Sequence, residues 1–314
     1  MIKVVFMATP DIAVKSLDYL YNSKDFEIVA VVTQTDKPAG RGNKIQISPI
    51  KRYALENNIK IFQPASIRKE ADILKSLKEL EADYFVTFAF GQILSQEVLD
   101  IPKIGTINLH ASLLPKYRGA NPIQRALING DEETGICTMI TDVGLDSGDV
   151  CLTEKIKITQ DMNFEQLHDI ISELAPELIA KTLIGLKNET ITPQKQDETL
   201  VTFAKKLQKE EEKINLENSA NQIHNLVRGI YKVPSAYLTY CDKKIKVLKT
   251  SVTDTTTEYK EAGKVLKVSK DGIELSTGRG SLLLITIKPE GKGEMSAGAW
   301  VNGAKIKVGD FLLW

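Results

Sequence analysis

Short runs of β-branched and aromatic residues alternate with stretches whose apolar positions recur every three or four residues through the front two thirds of the chain. IKVVFM (2–7) reads as a buried strand. Residues 11–21 then place Ile12, Leu17 and Leu20 among polar residues, the pattern of an amphipathic helix. EIVAVVTQ (27–34) predicts a second strand, and a Gly/Pro-rich loop separates it from helix 49–57, strand 60–62 and helix 67–80. Further strands are expected at 84–90, 105–110 and 136–142. Asn121-Pro122 opens a helix containing Ile123, Ala126 and Leu127. Residues 164–187 read as a long helix that Pro176 should kink or divide. The alternation predicts an α/β domain, a Rossmann-like, mostly parallel sheet with helices on both faces.

Periodicity fades over 188–199, which reads as a linker. A charged segment (205–213) and an amphipathic helix (219–227) follow, then the short strands AYLTY, KIKVLKT, KVLKV, IELST and LLLITI. Lys270-Asp271-Gly272 is a hairpin signal between two of them. Closely spaced strands with basic, glycine-containing turns predict a small OB-like β-barrel. The expected division is a front domain over 1–188, a linker over 189–204 and a barrel domain over 205–314.

Composition sharpens this picture. The chain has 314 residues, 42% hydrophobic and 26% charged, as expected of a globular protein of two domains. Its net charge of zero hides an asymmetry. Residues 1–204 hold 22 Lys and Arg against 28 Asp and Glu, whereas 205–314 hold 19 against 13. A polyanion would be drawn to the basic back third, although solvated surface alone also produces such splits. Cys137, Cys151 and Cys241 fit no metal spacing and are expected to be reduced thiols of a cytoplasmic protein. The histidines at 110, 168 and 224 are too scattered to suggest a metal. No apolar run is long enough for a membrane span, and a strand starting at residue 2 leaves no room for a leader. The first turn lacks G-x-G-x-x-G, which disfavours a dinucleotide cofactor. Without an apolar stripe that demands a partner, a monomer is expected.

The densest chemistry lies in INLHASLLP (107–115). Strand alternation puts Asn108 and His110 on one face, near the carboxyl end of a strand, where open α/β sheets bind ligands. Ser112, Leu113, Leu114 and Pro115 form a stiff apolar turn able to pack on a planar heterocycle. GLDSGD (144–149) holds Asp146 in a tight loop that adjacent strands would bring beside His110. An amide, an imidazole and a carboxylate meeting there would make an acid/base pair with an oxyanion stabiliser, although each piece taken alone also has a purely structural reading.

Four segments carry a resemblance: FMATPDIAV (6–14), INLHASLLPKYRGANPIQRA (107–126), DVGLDSGD (142–149) and IKPEGKGEM (287–295). Together they resemble the methionyl-tRNA formyltransferases, and the middle two are shared with the wider folate-dependent formyltransferases. The resemblance implies a bacterial, cytoplasmic enzyme that moves the formyl group of 10-formyltetrahydrofolate onto the methionyl amine of initiator tRNA. It puts Asn108, His110 and Asp146 in catalytic positions and Ser112 to Pro115 in the folate position, with no metal. The loop DKPAGRGNK (36–44) then corresponds to the one that engages the tRNA acceptor end, through Lys37, Arg41 and Lys44. Lys206 and Lys209 are candidate contacts on the back domain. The sequence departs from the family pattern at Ala8, where glycine is usual, and at Lys116-Tyr117, where Arg-Trp is common.

Overall fold

The structure, a computed structural model, describes residues 1–39 and 44–312. Its chain forms two compact units, and the division is not a single cut: the first comprises Met1–Gly119, Gly135–Ile156 and His168–Phe203, the second Ala120–Thr134, Lys157–Leu167 and Ala204–Trp314.

The first unit is built on a seven-stranded sheet. Its order is Val150–Lys157, Glu133–Ile140, Gly105–His110, Tyr84–Phe88, Ile2–Ala8, Phe26–Val32 and Ile61–Phe62. The five strands from Gly105–His110 to Ile61–Phe62 run parallel. Val5, Met7, Ala30, Val32 and Phe85 pack with Leu74 and Leu77 of helix Ala71–Glu79. Val4, Phe6 and Val31, which alternate with them, are equally buried, so the sheet is covered on both faces. Each such side chain contributes about 1.5–3 kcal/mol on leaving water. Helix Pro49–Glu56 starts where Ser48 accepts from the Lys51 N–H and Pro49 supplies a preset φ.

Two strand expectations are revised. Glu133–Ile140 pairs antiparallel with Gly105–His110, setting Ile140 opposite Ile107 and Cys137 opposite His110. Val150–Lys157, unread in the sequence, forms a hairpin with it, in which the Ile140 N–H donates to the Asp149 carbonyl and the Ile158 N–H to the Glu132 carbonyl. The chain therefore leaves the strand at Thr141, whose N–H donates to the Thr106 carbonyl, rather than beside His110, and residues 142–149 must fold back to bring Asp146 to the site. Pro176 does not divide its helix, which runs unbroken over Phe164–Lys187. Buried Ala175, Leu178 and Ile179 hold the helix across the missing hydrogen bond.

In the second unit a five-strand antiparallel path runs Ala236–Tyr240, Lys243–Asp254, Ser281–Pro289, Gly272–Ser276 and Val265–Ser269, with Met295–Ser296 added to Ser281–Pro289. It is the OB-like architecture the strand spacing predicts. Its core gathers Leu238, Ile245, Val247, Leu275, Leu284 and Ile287 with Ile223 and Val227 of helix Ala220–Gly229 and Trp300 of helix Ala297–Ala304. Gly229 lies so close to Ile128 that a Cβ there would meet Ile128 Cγ1 at 2.7 Å, which brings helix Pro122–Asn129 into this unit. No helix among the described residues is long and apolar enough to cross a membrane.

Candidate active site

Asn108 and His110 lie on one face of Gly105–His110, two residues apart, as strand alternation dictates. Thr87, opposite Asn108 on the neighbouring strand, donates from Oγ1 to Asn108 Oδ1 at 2.9 Å. That bond fixes the amide so that its NH₂ points toward Asp146 Oδ1, at 3.4 Å. The buried His110 ring has its Nε2 2.9 Å from the Tyr117 carbonyl and its Nδ1 3.6 Å from Asp146 Oδ2. A carbonyl can only accept, so Nε2 carries a proton and is committed to Tyr117. Nδ1 is the nitrogen that faces the carboxylate.

Asp146 meets this pair because the loop 141–149 is held in an unusual shape. Its own φ is 49°, in the left-handed region. Gly148 permits the return, since a Cβ there would lie 1.8 Å from the Ile140 carbonyl oxygen. Asp146 Oδ2 also accepts from the Gly119 N–H at 2.8 Å. The expected amide and imidazole thus both lie within hydrogen-bond or ion-pair reach of the expected carboxylate.

Ser112 to Pro115 follow directly. Ser112 is buried, with its Oγ donating to the Lys116 carbonyl, and the Leu113 carbonyl accepts from the Lys116 N–H. These bonds close the turn and leave Leu113, Leu114 and Pro115 half-buried. On the loop of Asp146, Val143 and Leu145 are 64% and 60% exposed. An apolar turn and exposed apolar side chains can pack on the face of a planar heterocycle, with polar groups fixing its orientation.

The basic loop is only partly described. Lys37–Ala39 pairs antiparallel with Lys44–Gln46, and Asp36 at its base accepts from Lys51 and Gln63. The Lys51 ammonium and the Gln63 amide hold the Asp36 carboxyl below its usual range. Lys51 is therefore engaged in structure. Lys37 is exposed, with its ammonium 3.0 Å from Gln34 Oε1. Arg41 and the Lys44 side chain lie outside the described residues. Lys206 and Lys209 are exposed in the second unit, Lys209 opening a short 3-10 turn. Lys246, by contrast, donates to the Pro234 carbonyl.

Sequence reasoning passed over Thr87, which looks like any β-branched strand residue, and Gln196, whose side chain reaches the Asp146 loop from the segment read as a linker. No group of three or more His, Cys, Asp or Glu able to hold a metal occurs among the described residues.

Comparison with known proteins adds to this geometry. Residues 2–183 match the family model described as formyl transferase, and residues 206–305 match formyl transferase, C-terminal domain. The methionyl-tRNA formyltransferase of Clostridium perfringens (strain SM101 / Type A) is 45% identical over 310 residues, covering 99% of each chain. Among solved structures, an N-formyltransferase from Helicobacter canadensis in complex with folinic acid and dTDP-3-aminofucose aligns with a TM-score of 0.68 at 22% identity, over 90% of this chain and 99% of that one. The phosphoribosylglycinamide formyltransferase of Bacillus halodurans aligns with a TM-score of 0.51 at 19% identity, over 60% of this chain and 96% of its own. At these identities the two structures support the fold alone.

Proposed function

The chain belongs to the methionyl-tRNA formyltransferase family and is a formyl-transferring enzyme, and we propose that Asn108, His110 and Asp146 carry the formyl group from 10-formyltetrahydrofolate to the methionyl amine of initiator tRNA. The observation that carries this reading is the meeting of amide, imidazole and carboxylate around Asp146. The folate supplies an activated formyl carbon. When the neutral amine attacks that carbon, its oxygen gains negative charge; the amine nitrogen then loses a proton, and the folate nitrogen takes one up as its bond to the carbon breaks.

The residues divide that work. Asn108 presents an oriented NH₂ to the charge developing on oxygen, and an oxyanion donor of this kind typically supplies about 2.7–4 kcal/mol. His110 acts through Nδ1, since Nε2 is held by Tyr117. Asp146 orients that imidazole and takes part in removing the amine proton, directly or through one water; such acid/base help is worth about 10²–10⁴-fold. Ser112, Leu113, Leu114 and Pro115 hold the folate ring. Lys37, Arg41 and Lys44 engage the acceptor end of the tRNA, while Lys206 and Lys209 meet its phosphates on the basic second unit. The protein works as a monomer in the bacterial cytoplasm.

The direct test is a product assay. The protein is mixed with 10-formyltetrahydrofolate and either methionyl-tRNA or a nucleotide-linked amino sugar. N-formylmethionyl-tRNA is the expected product. Preferred formylation of the sugar, or release of formate alone, would overturn the assignment of the acceptor.

A further inference from the structure

We propose that Gln196, anchored by Arg118, is a positioning residue that sets the Asp146 carboxylate for formyl transfer; this rests on the reading that Asp146 is catalytic. The segment 189–204 has the sequence of a connector, yet its middle is bonded to the catalytic loop. Gln194 exchanges both backbone hydrogen bonds with Val150, at 2.9 and 2.8 Å. Gln196 Nε2 then donates to the carbonyls of Asp146, at 2.8 Å, and Gly148, at 2.7 Å. Its Oε1 accepts from Arg118 Nε at 3.0 Å.

The direction of this chain of bonds is forced. A guanidinium has donors only, so Gln196 must turn its oxygen toward Arg118 and its NH₂ toward the loop. Arg118 is 5% exposed and is held in turn by both carboxylate oxygens of Glu198, with Nη2 at 2.7 Å and Nη1 at 3.3 Å. The residue after Arg118 donates its own N–H to Asp146 Oδ2. Arg118 therefore fixes Asp146 along two routes, through the Gln196 amide to the backbone and through Gly119 to the side chain.

Asp146 needs such a hold. A residue with a side chain at φ 49° relaxes toward negative φ unless its surroundings prevent it, and the Gln196 amide grips the two carbonyls that bracket the turn. Release of that grip moves the carboxylate away from Asn108 and His110 without removing any group that touches substrate. Misplacement by about 1 Å at a reacting centre costs up to roughly 10²-fold in rate.

Gln196→Glu separates positioning from packing. It is isosteric and keeps the acceptor for Arg118, but it sets a carboxylate oxygen against two carbonyls. The full-length variant is expected to lose about 10–100-fold in kcat, with KM for methionyl-tRNA and 10-formyltetrahydrofolate within about threefold of the parent and a melting temperature that stays well above the assay temperature. Gln196→Met, which has no charge to repel the loop, shows the same loss of kcat. Asp146→Asn is measured alongside. If Asp146→Asn is inactive while Gln196→Glu keeps a parental kcat, the positioning role is overturned and the catalytic one stands. If Asp146→Asn is fully active, the reading beneath the proposal has failed. Loss of activity that merely follows loss of folding in both Gln196 variants also overturns it.

Discussion

Burial holds the His224 imidazole below its ordinary value of 6.5, against the pull of the Gln160 carbonyl, which favours the proton. Its Nδ1 is 2.9 Å from Thr250 Oγ1 and its Nε2 3.1 Å from the Gln160 carbonyl oxygen, so the ring is satisfied while neutral. The native state therefore binds a proton at His224 less readily than the unfolded chain does. Stability from this residue is complete above the unfolded value and is lost as pH falls from 6.5 toward the lowered native one. Urea unfolding at several pH values is expected to show the second unit weakening across that interval. His224→Gln flattens this part of the profile, and a profile that keeps the same slope would show that the sensitivity arises elsewhere.

At the scale of elements, helix Ala220–Gly229 shows how a local signal and a buried face combine. Ser219 Oγ accepts from the Gln222 N–H while Gln222 Oε1 accepts from the Ser219 N–H, and Ile223 and Val227 turn into the core. Ser219→Ala is expected to lower stability by about 1 kcal/mol in urea titrations and to leave kcat unchanged. This helix was legible because its cap and its apolar spacing agree. Two other elements were not. Val150–Lys157 is an edge strand whose middle residues Thr153, Glu154 and Lys155 are exposed, so it has no buried run to betray it. Helix Ala297–Ala304 contains two glycines and draws its order from the packing of Trp300 and Val301. The return of the Asp146 loop was hidden for a third reason. Strand direction is a property of pairing, and alternation along ICTMI is the same whichever way its partner runs.

For the molecule as a whole, the pattern of hydrophobic positions was enough to read a mostly parallel, doubly covered sheet followed by an antiparallel one, since strands alternating with helices leave few other ways to bury both faces. Asn108, His110 and Asp146 were legible as residues, but their meeting depends on a left-handed turn and on Gln196, neither of which a residue pattern encodes. Charge divides along the chain as well, with an acidic balance over residues 1–204 and a basic one over 205–314. The account turns on the oxyanion donor. The single-turnover rate of formyl transfer to methionyl-tRNA by Asn108→Ala, with both substrates saturating and folding checked by its melting temperature, is expected to fall about 10²–10³-fold. A rate within about twofold of the parent would contradict the account, because the charge on the formyl oxygen would then be stabilised without the Asn108 amide.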